Sequence, residues 1–176
     1  DKRIKQSLSR MTRLIALTDT VKHCYRDYDI PENVISIIPN GVAVSRFNKK
    51  VNKEQLRKKF SVGETQKFIL TVGRYHLKKG YEIIPEVCAL LNRKGIDYKW
   101  LIVGTNVSKI KPIVEKYNVK NRLLLIADQK INGFSDNITK VPPESLIDLY
   151  LYSDLFVMPS LLEPFGMVLL EAIAAG

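Results

Sequence analysis

Short apolar runs alternate along the chain with amphipathic stretches of helical period. Leu14–Leu17, Val34–Ile38, Phe68–Val72, Trp100–Val103, Leu123–Ile126 and Leu155–Met158 read as strands, each too short for a helix and rich in branched or aromatic residues. Between them, helices are predicted over about 19–28, 53–60, 81–94, 109–117 and 145–152. Thr18 or Asp19 caps the first. Ile84, Val87 and Leu91 form the apolar stripe of the third, and Gly95 stops it. Pro39-Asn40-Gly41 is a turn signal after the second strand. Strands that alternate with helices imply an α/β fold, a Rossmann-like parallel sheet with helices on both faces. There are no internal repeats.

Two loops hold residues that suit ligand chemistry. After the 68–72 strand comes Gly73-Arg74-Tyr75-His76-Leu77-Lys78-Lys79-Gly80, a basic turn leading into a helix. Strand–loop–helix junctions of this kind are where doubly wound folds bind ligands. Arg74 offers a planar fork for phosphate oxygens, and Lys79 a compact charge. The loop is neither GxxxxGK[ST] nor GxGxxG, so nucleoside-triphosphate hydrolysis and NAD binding have no motif support.

The second segment is Glu163-Pro-Phe-Gly-Met-Val-Leu-Leu-Glu171. Pro164 disfavours helical backbone at Glu163 and suits a first helical position. A helix running from about Phe165 would then present the free amides of Phe165, Gly166 and Met167 to an anion. Glu171 would lie roughly 12 Å along the axis from Glu163 at about 1.5 Å per residue. That span fits a sugar, a diphosphate and a ribose laid end to end, and exceeds what two carboxylates acting on one glycosidic bond require.

Together these segments resemble the retaining glycosyltransferases of family four, which have the GT-B fold. The family's G-R-x-x-x-x-K-G loop is matched by Gly73-Arg74 and Lys79-Gly80. Its E-x7-E is matched by Glu163 and Glu171. Its hinge pattern is matched by Ile38-Pro39-Asn40-Gly41-Val42 with Phe47, and its A/S-D-x-F-V-x-P-S strand by Ser153-Asp154-Leu155-Phe156-Val157-Met158-Pro159-Ser160. The resemblance implies that residues 1–40 are a remnant of the N-terminal GT-B domain. Residues 41–176 would be the first part of the C-terminal nucleotide-sugar-binding domain, truncated at its end. It implies a hexosyltransferase that takes a UDP-, GDP- or ADP-sugar as donor substrate and works without a cofactor or bound metal. The acceptor would be a carbohydrate or a lipid-linked sugar. Arg74, Lys79 and Glu163 would act at the reacting centre. Gly73, Val141, Phe165, Gly166, Met167 and Glu171 would hold the donor, with Glu171 on the ribose. The family's base-facing G-x-V-x-x-x-x-L segment is matched only at its end, by Val141 and Leu146, after about ten extra residues. This portion alone is expected to be inactive. A non-catalytic nucleotide-sugar-binding module, or another GT-B reaction such as epimerisation, are the alternatives.

Charge adds one feature. The net charge of +10 on 176 residues is skewed. Residues 1–80 hold 18 basic and 7 acidic side chains, a net +11, and the remainder nets −1. Such a skew suits an anionic surface. The aromatic interleaving of a single-strand binder is missing, so no nucleic acid is expected; the skew reads first as a soluble basic face, and the family resemblance, with its lipid-linked acceptors, adds a peripheral contact with anionic membrane as the alternative. The charged, polar start shows no secretory signal and no run approaches a membrane span, which points to a cytoplasmic location. Cys24 and Cys88 are too few for a disulfide framework, and no Cys/His cluster has metal-site spacing. Cys88 falls on the apolar side of its helix. His23 reads as an exposed helical residue, and His76 as a polar loop residue whose alternative is contact with phosphate or acceptor. Asn106-Val-Ser108 and Asn137-Ile-Thr139 match the glycosylation sequon by chance.

Overall fold

The computed structural model describes residues 2–127 and 141–176. They divide into two compact bodies, Asp1–Val42 with Glu163–Met167, and Ala43–Leu162 with Val168–Gly176.

The first body holds α1 (Lys2–Leu8), β1 (Leu14–Ala16), α2 (Asp19–Arg26) and β2 (Ile35–Ile37). β1 and β2 pair in parallel, Leu14 opposite Ile35. Thr18 is the cap of α2: its Oγ1 accepts from the Val21 amide at 3.2 Å. That bond satisfies one of the helix's orphan donors. The small core is Ala16, Ile30 and Ile35, with Leu14, Val21 and Tyr25 packed on it. α1 lies in a stretch where no helix is predicted, because KRIKQSL carries too few apolar residues to show a period.

The second body is built on a four-stranded, all-parallel sheet of order β5-β4-β3-β6. Its strands are β3 (Lys67–Val72), β4 (Tyr98–Val103), β5 (Leu123–Ile126) and β6 (Leu155–Phe156). From Phe68 to Val72 every residue of β3 is buried. A parallel strand covered on both faces reads as such a continuous apolar run. Side chains alternate between the two layers. Ile69, Trp100, Ile102 and Leu123 pack with Tyr81, Ile84, Cys88, Ile110 and Val114, which lie on and around α4 (Ile84–Arg93) and α5 (Lys111–Lys116). On the other face Phe68 meets Phe60 of α3 (Lys53–Phe60) and Tyr152 of α6 (Glu144–Tyr152), with ring centroids 6.2 and 4.9 Å apart. Helices therefore cover both faces, as the alternating pattern predicts.

Several boundaries differ from the sequence expectation, three of them in the second body with consequences for its frame. The helix expected over 81–94 opens as a 3-10 turn at Tyr81–Ile83, and α4 proper begins at Ile84. Pro85 has no amide hydrogen and fits only the first helical turn. Pro112 has the same effect on α5, which follows a 3-10 turn at Val107–Ile110. β6 is two residues long rather than four. Its hold on β3 extends through other bonds: the Phe68 amide donates to Asp154 Oδ2 at 2.8 Å, and the Val157 amide to the Leu70 carbonyl at 2.9 Å. Inside the sheet, Trp100 Nε1 donates to Thr71 Oγ1 at 3.1 Å, and that hydroxyl donates to the Val157 carbonyl at 2.7 Å. A buried polar chain thus links β4, β3 and the end of β6. An open apolar trough of about 640 Å³ lies between α4 and β6, lined by Ile83, Val87, Leu91, Ile96, Leu155 and Val157 among others.

Candidate functional site

The strand order places the site. From β3 the chain moves outward to β4 and then β5, and returns to the other side of β3 as β6. The order reverses at β3, so the carboxyl ends of β3 and β6 flank a crevice, the usual ligand position in open α/β sheets. The Gly73–Gly80 loop leaves β3 at that end.

This loop is braced at four points. The Gly73 amide donates to the Val103 carbonyl at 2.8 Å, and the Tyr75 amide to the Thr105 carbonyl at 2.8 Å. His76 Nδ1 accepts from the Lys78 amide at 3.1 Å and caps the 3-10 turn Leu77–Lys79. The Leu161 amide donates to the Lys78 carbonyl at 2.8 Å, which ties the loop to the segment after β6. Glycines make the close approaches possible. A Cβ on Gly104 would overlap the Gly73 carbonyl, and one on Gly80 (φ +64) would overlap the Pro159 carbonyl. Tyr75 Oη donates to Glu82 Oε1 at 2.6 Å, and that carboxylate beside it raises the phenol's pKa. Arg74 is exposed and Lys79 half-buried on this rigid support. His76 is exposed, as its sequence position predicts, and its ring nitrogen caps the turn in addition.

Glu171 lies on α7 (Met167–Ala175) and is only 6% exposed. Its Oε2 accepts from Tyr150 Oη at 2.8 Å. Burial pushes the Glu171 carboxyl above the usual range, while the Tyr150 hydrogen bond and the Arg46 charge pull it back. The Tyr150 ring is held by Phe156 and Phe47, at centroid distances of 5.5 and 6.3 Å. Burial, and the Glu171 carboxylate after it, push the Tyr150 phenol strongly up, and Tyr81 adds to the shift. Tyr81 is the phenol that a Cβ on Gly73 would touch, at 2.8 Å. One tyrosine thus bonds Glu171 and another stands beside Gly73. Sequence reasoning missed both, because each sits in an apolar helical run and reads as packing. Arg46 itself bonds Glu144 Oε1 at 2.7 Å, and Lys49 bonds Glu144 and Asp148 at 2.8 and 2.6 Å.

The Glu163–Met167 segment groups with the first body, whereas Arg74 and Lys79 belong to the second. α7 begins at Met167, not Phe165. Pro164 and Phe165 are non-helical, and Gly166 takes left-handed backbone at φ +68. The Pro164 preference for a first helical position is overridden by the turn that Gly166 permits. The free first-turn amides thus start at Met167, and Phe165 stands outside them. The rise of 1.5 Å per residue applies only beyond that point.

Val141 is 72% exposed, and the inserted stretch before it, with the Asn137 sequon, lies outside the described residues. Cys88 is fully buried, as its helical position predicts. Among the described residues no group of three His, Cys, Asp or Glu side chains could hold a metal, and no helix is long and apolar enough to cross a membrane. The apolar trough beside β6 includes none of Arg74, Lys79 and Glu171 in its lining.

Residues 52–176 match the family profile of glycosyl transferases group 1. The chain is 31% identical over 174 residues to the D-inositol 3-phosphate glycosyltransferase of Pseudarthrobacter chlorophenolicus, covering 93% of this chain and 38% of that one. It is 30% identical over 173 residues to the UDP-Gal:alpha-D-GlcNAc-diphosphoundecaprenol alpha-1,3-galactosyltransferase of Escherichia coli, covering 94% and 41%. The crystal structure of Anabaena Alr3699/HepE in complex with UDP-glucose superposes with a TM-score of 0.77 at 16% identity, over 97% of this chain and 47% of that one. The chain thus spans less than half the length of each of these proteins.

Proposed function

The chain belongs to the glycosyl transferases group 1 family, and we propose that it is the donor-binding portion of a retaining hexosyltransferase. The donor is a nucleoside-diphosphate sugar and the acceptor a sugar or lipid-linked sugar. The observation that carries this reading is the braced Gly73–Gly80 loop at the reversal point of the sheet, with Arg74 and Lys79 on it and the buried Glu171 on the same body. UDP-glucose in a GT-B neighbour of the same fold supports the donor class. The undecaprenyl-diphosphate substrate named for the Escherichia coli relative supports the lipid-linked acceptor. The net +11 of residues 1–80 suits work beside anionic lipid.

The chemistry follows from charge. As the bond between the sugar and the diphosphate breaks, negative charge grows on the β-phosphate. Arg74 spreads two N–H donors toward those oxygens and Lys79 adds a point charge, so the leaving group is stabilised by side chains. A preorganised donor of this kind is worth roughly 3–4 kcal/mol of barrier, by analogy with deletion of one oxyanion-hole contact. Rigidity matters, because a loop that had to reorganise would give back much of that stabilisation. Glu171 accepts from the ribose hydroxyls. The motif alone assigns Glu163 to the sugar hydroxyls, Gly166 and Met167 to the donor phosphates, and Val141 to the base. Phe165 keeps a donor contact through its place in the motif.

A thermal-shift and titration screen with UDP-, GDP- and ADP-glucose tests the reading. One of the three is expected to raise Tm and to bind saturably. Arg74→Ala and Lys79→Ala are each expected to weaken that binding tenfold or more. Undiminished binding in both variants, or no binding of any of the three at millimolar concentration, overturns it.

A further inference from the structure

Glu171 interrupts an otherwise apolar helix, Met-Val-Leu-Leu-Glu-Ala-Ile-Ala-Ala. Taking a carboxylate out of water costs several kcal/mol unless its lone pairs are filled. The fold fills one of them with the Tyr150 hydroxyl, 2.8 Å away. That hydroxyl is not free to turn elsewhere. Its ring is clamped between Phe156 and Phe47, and Tyr150 is itself 3% exposed. A phenylalanine would pack between those rings equally well, so packing does not explain the oxygen.

A carboxylate has two oxygens and about four acceptor positions. With Oε2 bonded to Tyr150, rotation of the group about its last bond costs that hydrogen bond, so its remaining acceptor positions favour one direction. A vicinal diol offers two O–H donors at fixed spacing, and it needs acceptors held in one orientation. We propose that Tyr150 is a positioning residue that locks the Glu171 carboxylate for the 2′- and 3′-hydroxyls of the donor ribose, making the site selective for ribonucleotides. This rests on the assignment of Glu171 to ribose made above.

The test compares UDP, GDP or ADP, whichever base the glucose screen selects, with its 2′,3′-dideoxy counterpart. The unmutated chain is expected to prefer the ribonucleotide. Tyr150→Phe is expected to lose about tenfold on the ribonucleotide, the scale of one buried hydrogen bond to a charge, and nothing on the dideoxy analogue. Adding Tyr150→Phe to Glu171→Gln is expected to cost less than the two separate losses combined, because the residues act as a unit. An equal loss on both nucleotides marks Tyr150 as a packing residue and overturns the proposal. So does a preference for ribose that Tyr150→Phe keeps in full. If the unmutated chain binds both nucleotides equally, the ribose assignment of Glu171 falls first and the proposal with it. Should Tyr150→Phe fail to fold, the carbon NMR signal of the Tyr150 ring in the unmutated chain decides. It is expected to move on adding the ribonucleotide and to stay put with the dideoxy analogue, and identical movement with both overturns the proposal.

Discussion

A methyl group on Gly104 would overlap the carbonyl of Gly73, and one on Gly80 would overlap the carbonyl of Pro159. Both collisions are with backbone, which cannot swing aside as a side chain can. Gly80 also has φ +64, where an alanine is strained by about 1–2 kcal/mol before any clash. Gly80→Ala is therefore expected to lower stability by about 2 kcal/mol or more and to weaken nucleotide binding together with it, measured by urea unfolding and titration. An unchanged midpoint would show that the loop has slack. Glu171 gives the opposite sign. Its folded-state pKa is raised by burial, so the charged form opposes folding, and stability falls as pH rises through that raised value. Glu171→Gln is expected to raise Tm at pH 7 while lowering nucleotide affinity. A lower Tm would contradict the burial account.

At the scale of elements, short range chemistry was legible and long range placement was not. Gly95, Thr18 and the 53–60 helix stand where turn, cap and period signals put them, because those signals act within a few residues. The start of α7 was misread because Pro164 tolerates a first helical position without compelling it, while Gly166 has the freedom to make the turn that forbids it. The grouping of Arg74, Lys79 and Glu171 on one body could be read from motif order, whereas the Tyr150–Glu171 bond depends on a fold that brings α6 under α7. The tie between α6 and the Val44–Phe47 turn yields a pH expectation. Arg46 and Lys49, bonded to Glu144, hold its carboxyl down to about 2, well below the usual value of 4.5. This contribution is present above pH 4.5 and is lost as pH falls from there toward 2. Glu144 is more than half exposed, so screening leaves it at most about 1 kcal/mol. Glu144→Gln is expected to flatten that part of the acid-unfolding profile and to change Tm at pH 7 only slightly. A profile that keeps its slope below pH 4.5 would assign the loss to other carboxylates.

At the scale of the molecule, the parallel sheet closes over very different stretches of chain. β3 meets β4 across 31 residues, Ile69 opposite Trp100. It meets β6 across 86, Ile69 opposite Leu155. Loop-closure entropy alone makes the second junction about 1 kcal/mol dearer, and only two residue pairs register there. β6 is thus expected to be the part of the sheet that opens most readily, despite the flanking bonds at Asp154 and Val157. Opening there would take the Phe156 ring from Tyr150 and loosen the clamp on Glu171. In hydrogen exchange, the amides of Asp154 and Val157 are expected to exchange faster than those of Gly73 and Trp100. Bound nucleotide is expected to slow the first pair by far more than the second. Equal protection across all four would mean that the sheet opens as one unit. A donor held by both the Gly73 loop and Glu171 would then act as a latch, its residence time governed by how often a two-residue strand lets go.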